Sequence, residues 1–142
     1  MATLNPYLNF NGNTEAVFNF YKSVFGGEFA SLQRFRDIPG GGQTAEADLD
    51  KIMHISLPVG NGSVLMGSDV VESMQDRARA GSNFYISINA DSKAEADRLF
   101  SGLSSGGVVE MPIQDAFWGS YFGMLEDRFG IHWMVSFAHP QP

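Results

Sequence analysis

Residues 84–107 read FYISINADSKAEADRLFSGLSSGG, and this stretch decides the fold. Its first part alternates: Phe84, Ile86 and Ile88 are apolar and oppose Tyr85, Ser87 and Asn89, the period of a strand with two unlike faces. Ser92 then stands at a helix start with Glu95 three positions on, the spacing of a capping box. Ala96, Leu99, Phe100 and Leu103 follow at i, i+3, i+4 and i+7, so one face of the predicted helix is apolar. Gly106-Gly107 ends it, because glycine accepts the left-handed cap geometry.

The same order stands at residues 7–27, YLNFNGNTEAVFNFYKSVFGG. A predicted strand over 7–11 leads to a helix that begins after Asn13, a good N-cap residue, with Glu15 in its first turn. Val17, Phe20, Tyr21 and Val24 repeat the helical spacing, and Gly26-Gly27 closes the helix. Ser92 follows Thr14 by 78 positions, and Gly106 follows Gly26 by 80. Three β-like runs follow each helix: 29–36, 52–58 and 63–68 in the first copy, and 108–114, 121–126 and 131–137 in the second. Asn61-Gly62 marks a hairpin turn. A unit of this size written twice implies a pseudo-twofold architecture. The expected class is α+β, with two βαβββ modules (about 5–72 and 82–138) forming a cupped mixed sheet in a single domain, 1–142.

Composition removes several functions. The chain has 142 residues and no cysteine, so disulfide scaffolds, cysteine–zinc sites, iron–sulfur clusters and thiol catalysis are excluded. Sixteen acidic against nine basic residues give a net charge of −7, without a basic cluster. Nucleic acid and anionic membrane are therefore poor partners. No apolar run is long enough to span a bilayer. The opening MATLNPYLNF lacks the basic start and apolar core of a signal peptide, which points to the cytoplasm. The run Pro39-Gly40-Gly41-Gly42, with polar residues to Asp50, reads as a long loop; no Gly-Lys-Ser/Thr follows it, so it is no phosphate cradle. There is no HExxH and no HxH.

Strand alternation separates the candidate residues into faces. Met53, Ile55 and Leu57 oppose His54 and Ser56; Trp133, Val135 and Phe137 oppose His132, Met134 and Ser136. The apolar sets are expected under the helices. The opposite sets mix polar groups with Tyr, Met and His, a surface that suits solvent or a small-molecule cavity. His54 is the candidate base or metal ligand in such a cavity, or a hydrogen-bonded strand histidine. An improvised metal site would join it to Glu110 or Glu126. His132 carries the same two readings, and His139 is expected to be disordered in the proline-rich tail. Trp118, before Gly119, is placed to stack on a ligand or to pack beneath a loop, and Tyr121 is read the same way. Met66 and Met134 are wall residues. Asp127 is expected to shape the turn before the last strand.

The opening Pro6-Tyr7-Leu8-Asn9-Phe10-Asn11-Gly12, then Phe20-Tyr21-Lys22 and Gly26-Gly27-Glu28, resembles the start of PhnB-like proteins. Phe117-Trp118-Gly119, Tyr121-Phe122-Gly123, Asp127-Arg128-Phe129-Gly130 and Trp133-Met134 resemble their end. These proteins belong to the vicinal oxygen chelate superfamily of glyoxalases, extradiol dioxygenases and bleomycin-resistance proteins. The resemblance implies a cupped sheet built from two modules and a homodimer. Metal-dependent members place one ligand on the first and one on the fourth strand of each module, positions that fall here near Pro6, Met66, Tyr85 and Met134. Proline has no donor and methionine is too soft for hard or borderline metals. The comparison also points Leu8 and Phe10 into the cavity, whereas periodicity puts them under a helix. Some members carry a methyltransferase name, but no glycine-rich nucleotide-type cofactor turn is present here.

The expected function is small-molecule binding without the usual metal site and without a cofactor. His54, Ser56, Met66, Tyr85, Trp118, Tyr121 and Met134 are the expected lining. The alternative is a metal-dependent lyase, isomerase or dioxygenase with non-standard ligands centred on His54. A structural dimer without ligand is the third reading.

Overall fold

The structure, a computed structural model, describes residues 2–39 and 44–139. The glycine run at 40–42 lies outside the described residues; the polar stretch beyond it holds a short 3-10 turn at Glu46–Asp48. The chain forms two compact units, Met1–Arg79 and Ala80–Pro142. The first contains β1 (Tyr7–Phe10), α1 (Thr14–Phe25), β2 (Ser31–Arg34), β3 (Ile52–Gly60) and β4 (Ser63–Asp69). The second contains β5 (Ile86–Asn89), α2 (Lys93–Ser104), β6 (Val108–Asp115), β7 (Ser120–Glu126) and β8 (His132–Ala138). The βαβββ order is thus present twice, and each unit builds its own four-stranded mixed sheet.

Strand order is β1-β4-β3-β2 in one sheet and β5-β8-β7-β6 in the other. In each, the strand before the helix pairs in parallel with the last strand of the unit, and the remaining pairs are antiparallel. Asn61 and Gly62, with φ of 53° and 82°, make the β3–β4 hairpin turn. Positive φ at both central residues is what that two-residue turn demands.

Each helix buries one stripe on its sheet. α1 buries Val17, Phe18, Tyr21 and Val24; α2 buries Ala96, Leu99, Phe100 and Leu103. The fit depends on one glycine per sheet. A Cβ at Gly67 would stand 2.6 Å from Phe18 Cε1, and one at Gly123 would stand 2.7 Å from Phe100 Cε2. In both units an aromatic ring of the helix rests where the sheet has no side chain. Leu8 and Phe10 are buried, and Leu8 pairs with Gly67 under Phe18. Periodicity therefore governs these two residues: they belong to the core beneath α1.

The helix starts are held differently. Ser92 caps α2, its Oγ accepting from Glu95 N at 3.0 Å, and Glu95 Oε1 accepts from Asp91 N. Asn13 occupies the cap position of α1, but its side chain makes no capping bond. The donors are satisfied from the sheet instead. Buried Asp69, at the end of β4, accepts from Gly12 N and Thr14 N through Oδ1, both at 3.0 Å. Its Oδ2 accepts from Ile52 N at 2.8 Å. One carboxylate joins helix start, β3 and β4, a role suited to a charge with three backbone donors.

Candidate functional site

The face of each sheet opposite its helix carries the chemistry. In the first sheet, Met66 lies between Tyr7 and Ser56, and Ser56 pairs onward with Ser31. Ser31 Oγ and Ser56 Oγ are 2.9 Å apart, and Ser68 Oγ donates to Asn9 Oδ1 at 3.1 Å. His54 stacks on Tyr7 with ring centroids 5.8 Å apart, and Tyr7 Oη lies 3.4 Å from His54 Nδ1. This surface carries neutral hydroxyls, amides, one imidazole and one thioether.

The second sheet presents three cross-strand rows on its helix-free face. Tyr85, His132 and Glu126 form the first, with Glu126 opposite His132. Ser87, Met134, Met124 and Met111 form the second. Asn89, Ser136, Phe122 and Gln114 form the third. Trp118 stands at the β6–β7 turn with its ring 5.5 Å from Phe122, beyond the third row. Methionine gives the middle row an adaptable, polarisable floor.

The first row is closed over. A bulge between Val109 and Met111 takes Glu110 out of register. Tyr85 Oη donates to Glu110 Oε1 at 3.0 Å, and the Tyr85 ring packs edgewise on His132 at 5.1 Å. The hydrogen bond to Glu110 is the main cause that holds the Tyr85 phenol above its ordinary pKa, with burial second. Beneath this bridge His132 is buried, with Nδ1 3.4 Å from Glu110 and Nε2 3.7 Å from Glu126. The two carboxylates face opposite nitrogens of one ring, so they share no coordination point with it.

Six of the expected lining residues lie on or beside helix-free faces: His54, Ser56 and Met66 in the first unit, and Tyr85, Trp118 and Met134 in the second. Tyr121 does not. It shares its side of β7 with Gly123 and Leu125, toward α2. Its hydroxyl donates to Asp97 Oδ1 at 2.5 Å, and Lys93 Nζ lies 4.5 Å from its ring centre. Asp97 holds the Tyr121 phenol above its usual pKa, with burial adding to the effect. His139 is likewise corrected: its backbone N–H donates to Gly119 O, and its Nε2 lies 2.6 Å from Asp115 Oδ1. The tail is tied to the β6–β7 turn as far as residue 139. The sequence pattern names Glu110 only as a metal partner for His54 and does not mark Met124 and Phe122 as face residues. Alternation in β7 from the buried Leu125 reveals the last two, whereas the bulge hides Glu110.

The register also revises the implied metal positions. Tyr7, not Pro6, stands beside Met66, and Ser87 stands beside Met134. Neither pair, a phenol with a thioether in the first unit or a hydroxyl with a thioether in the second, suits a hard or borderline divalent ion. His54 belongs to the first unit and Glu110 and Glu126 to the second, where both flank His132. Among the described residues no three His, Asp or Glu side chains gather to hold a metal ion. Among them, too, no helix is long and apolar enough to cross a membrane.

Known proteins with this geometry are similar over nearly the whole chain. The protein PA1353 from Pseudomonas aeruginosa superposes with a TM-score of 0.85 at 41% identity, covering 99% of this chain and 100% of that one. The protein YjdN of Escherichia coli K12 is 28% identical over 98% of this chain and 97% of its own length. A Bacillus cereus structure described as a putative 3-demethylubiquinone-9 3-methyltransferase, PhnB protein, superposes with a TM-score of 0.72 at 24% identity, covering 96% of this chain and all of its own; at that identity it shares the fold. A family model matches residues 3–135, and the chain belongs to the family that it describes, the Glyoxalase/Bleomycin resistance protein/Dioxygenase superfamily.

Proposed function

We propose that this protein binds a small molecule of mixed polar and apolar character on a helix-free sheet face, without the metal site of its metal-dependent relatives. One observation carries the reading: the second sheet offers a methionine–phenylalanine floor between a hydrogen-bonded Tyr85–Glu110–His132 end and an aromatic Trp118 end. Such a surface combines contact area with a few fixed polar groups, as ligand sites do. Ser56, His54 and Met66 supply a second surface of related composition on the first sheet. Cytoplasmic location and a homodimer belong to the same reading. β6 supports the dimer: it is an edge strand whose Val108, Val109 and Met111 are exposed, and such edges need covering.

The test is thermal stabilisation and intrinsic fluorescence against a panel of neutral heteroaromatic amides. The chain has two tryptophans, Trp118 and Trp133. A ligand on the proposed face changes the wild-type emission, and the change is lost in Trp118→Phe. Met134→Glu abolishes the stabilisation while the far-UV spectrum is retained. Binding that survives both substitutions unaltered, or no binding across the panel, overturns the proposal.

A further inference from the structure

We propose that Asn61 is a site of spontaneous deamidation, selected over the chain's second Asn-Gly pair by the fold. The two pairs are Asn11-Gly12 and Asn61-Gly62. In each, the same reaction is available. The backbone nitrogen of the glycine attacks the asparagine Cγ, a C–N bond forms, and the Cγ–Nδ2 bond breaks with loss of ammonia. Water then opens the resulting five-membered imide at either carbonyl, giving aspartate or isoaspartate. One water enters and one ammonia leaves.

The reaction needs a free glycine N–H and an asparagine amide free to turn. At residues 11–12 the structure withholds both. Gly12 N donates to the Asp69 carboxylate at 3.0 Å, and Asn11 Nδ2 donates to Ala78 O at 3.3 Å. At residues 61–62 it withholds neither. Both residues are exposed at the hairpin tip, and nothing lies within 4 Å of a Cβ built on Gly62. Among the described residues neither the Asn61 amide nor Gly62 N has a hydrogen-bond partner. Exposed, weakly held tips of this kind open locally at little cost.

The product matters to the sheet. Isoaspartate adds a methylene to the backbone of a two-residue turn whose geometry sets the β3–β4 register. That register places Ser56 beside Met66. The conversion also adds one negative charge.

Full-length folded protein is incubated in mildly alkaline buffer at physiological temperature, with a urea-unfolded sample in parallel, and digested for peptide mass spectrometry with isomer separation. The folded sample is expected to gain one mass unit in the peptide holding Asn61, as both isomers, at least several-fold faster than in the peptide holding Asn11. The unfolded sample converts both at similar rates. Asn61→Gln removes the gain at that site and leaves Asn11 unchanged. Equal rates at the two sites in the folded protein, or a difference that persists when it is unfolded, overturns the proposal. So does an Asn61 that stays intact while the unfolded chain converts.

Discussion

The Trp133 indole N–H donates to Asp127 Oδ2 at 2.9 Å, and both side chains are buried. The other oxygen of the same carboxylate accepts from Phe129 N at 2.8 Å and Ile131 N at 3.1 Å. The turn before β8 and the largest core side chain of the second unit thus share one anchor. Asp127→Ala leaves one buried and two part-buried donors without that acceptor and is expected to destabilise the protein by about 3 kcal/mol. Asp127→Asn keeps one acceptor oxygen and loses less. Urea denaturation of the three proteins checks the order.

The glycines under the helices predict a steric cost. Gly123→Ala drives a methyl to 2.7 Å from Phe100 Cε2 and 2.9 Å from Ile113 Cα. A loss of about 1–3 kcal/mol is expected, the range for overpacked cores. Adding Phe100→Leu recovers only part of it, because the Ile113 backbone stays in place. A double-mutant cycle by thermal unfolding measures the coupling, and full additivity would contradict the packing described.

Asp48 predicts the acid limb of stability. Its Oδ1 accepts from Lys51 Nζ at 2.6 Å and from Glu72 N at 3.2 Å, and the side chain is buried. The Lys51 hydrogen bond, helped by the Glu72 N–H and the lysine charge, holds its pKa below the ordinary value, against the opposing effect of burial. A depressed folded pKa contributes stability that is present above the unfolded pKa and is lost as pH falls through the folded one. Acid unfolding monitored by circular dichroism should therefore show a shallower loss of stability in Asp48→Asn than in wild type. Equal slopes would remove Asp48 from the acid response.

Tyr85 and Tyr121 predict the alkaline limb. Hydrogen bonds to Glu110 and Asp97 raise both phenols above their ordinary 10.0. A raised folded pKa contributes stability below the unfolded pKa that is lost as pH climbs through the folded value. Ultraviolet titration should show Tyr85 and Tyr121 ionising late. Tyr121→Phe and Tyr85→Phe should each remove one late transition.

Much of this architecture is legible in the sequence because the determining signals are local. Periods of two and 3.6, paired glycines after each helix and Asn61-Gly62 all act within a few residues of themselves. The Asp127 turn is local in the same way. What escapes is set across the chain. Asp69 serves the start of α1 from 55 positions away, so Asn13 holds the cap position without its side chain making the capping bond. Glu110 reaches Tyr85 only because a bulge displaces it. Tyr121 is different: counting back by twos from Leu125 puts it toward α2, and its closeness in sequence to Trp118 obscures that.

The parallel pairing of β1 with β4, and of β5 with β8, has a consequence for synthesis. Tyr7 meets Met66 and Ser87 meets Met134, so in neither sheet can the first strand be joined to the rest until the last strand of its unit has left the ribosome. Through most of its translation each unit is a helix with a hairpin or single strands whose apolar stripe has no complete surface to cover. Non-local closure of this kind is slow and leaves nascent chains exposed to misassociation. The first unit can close its sheet before the second has begun its own last strand.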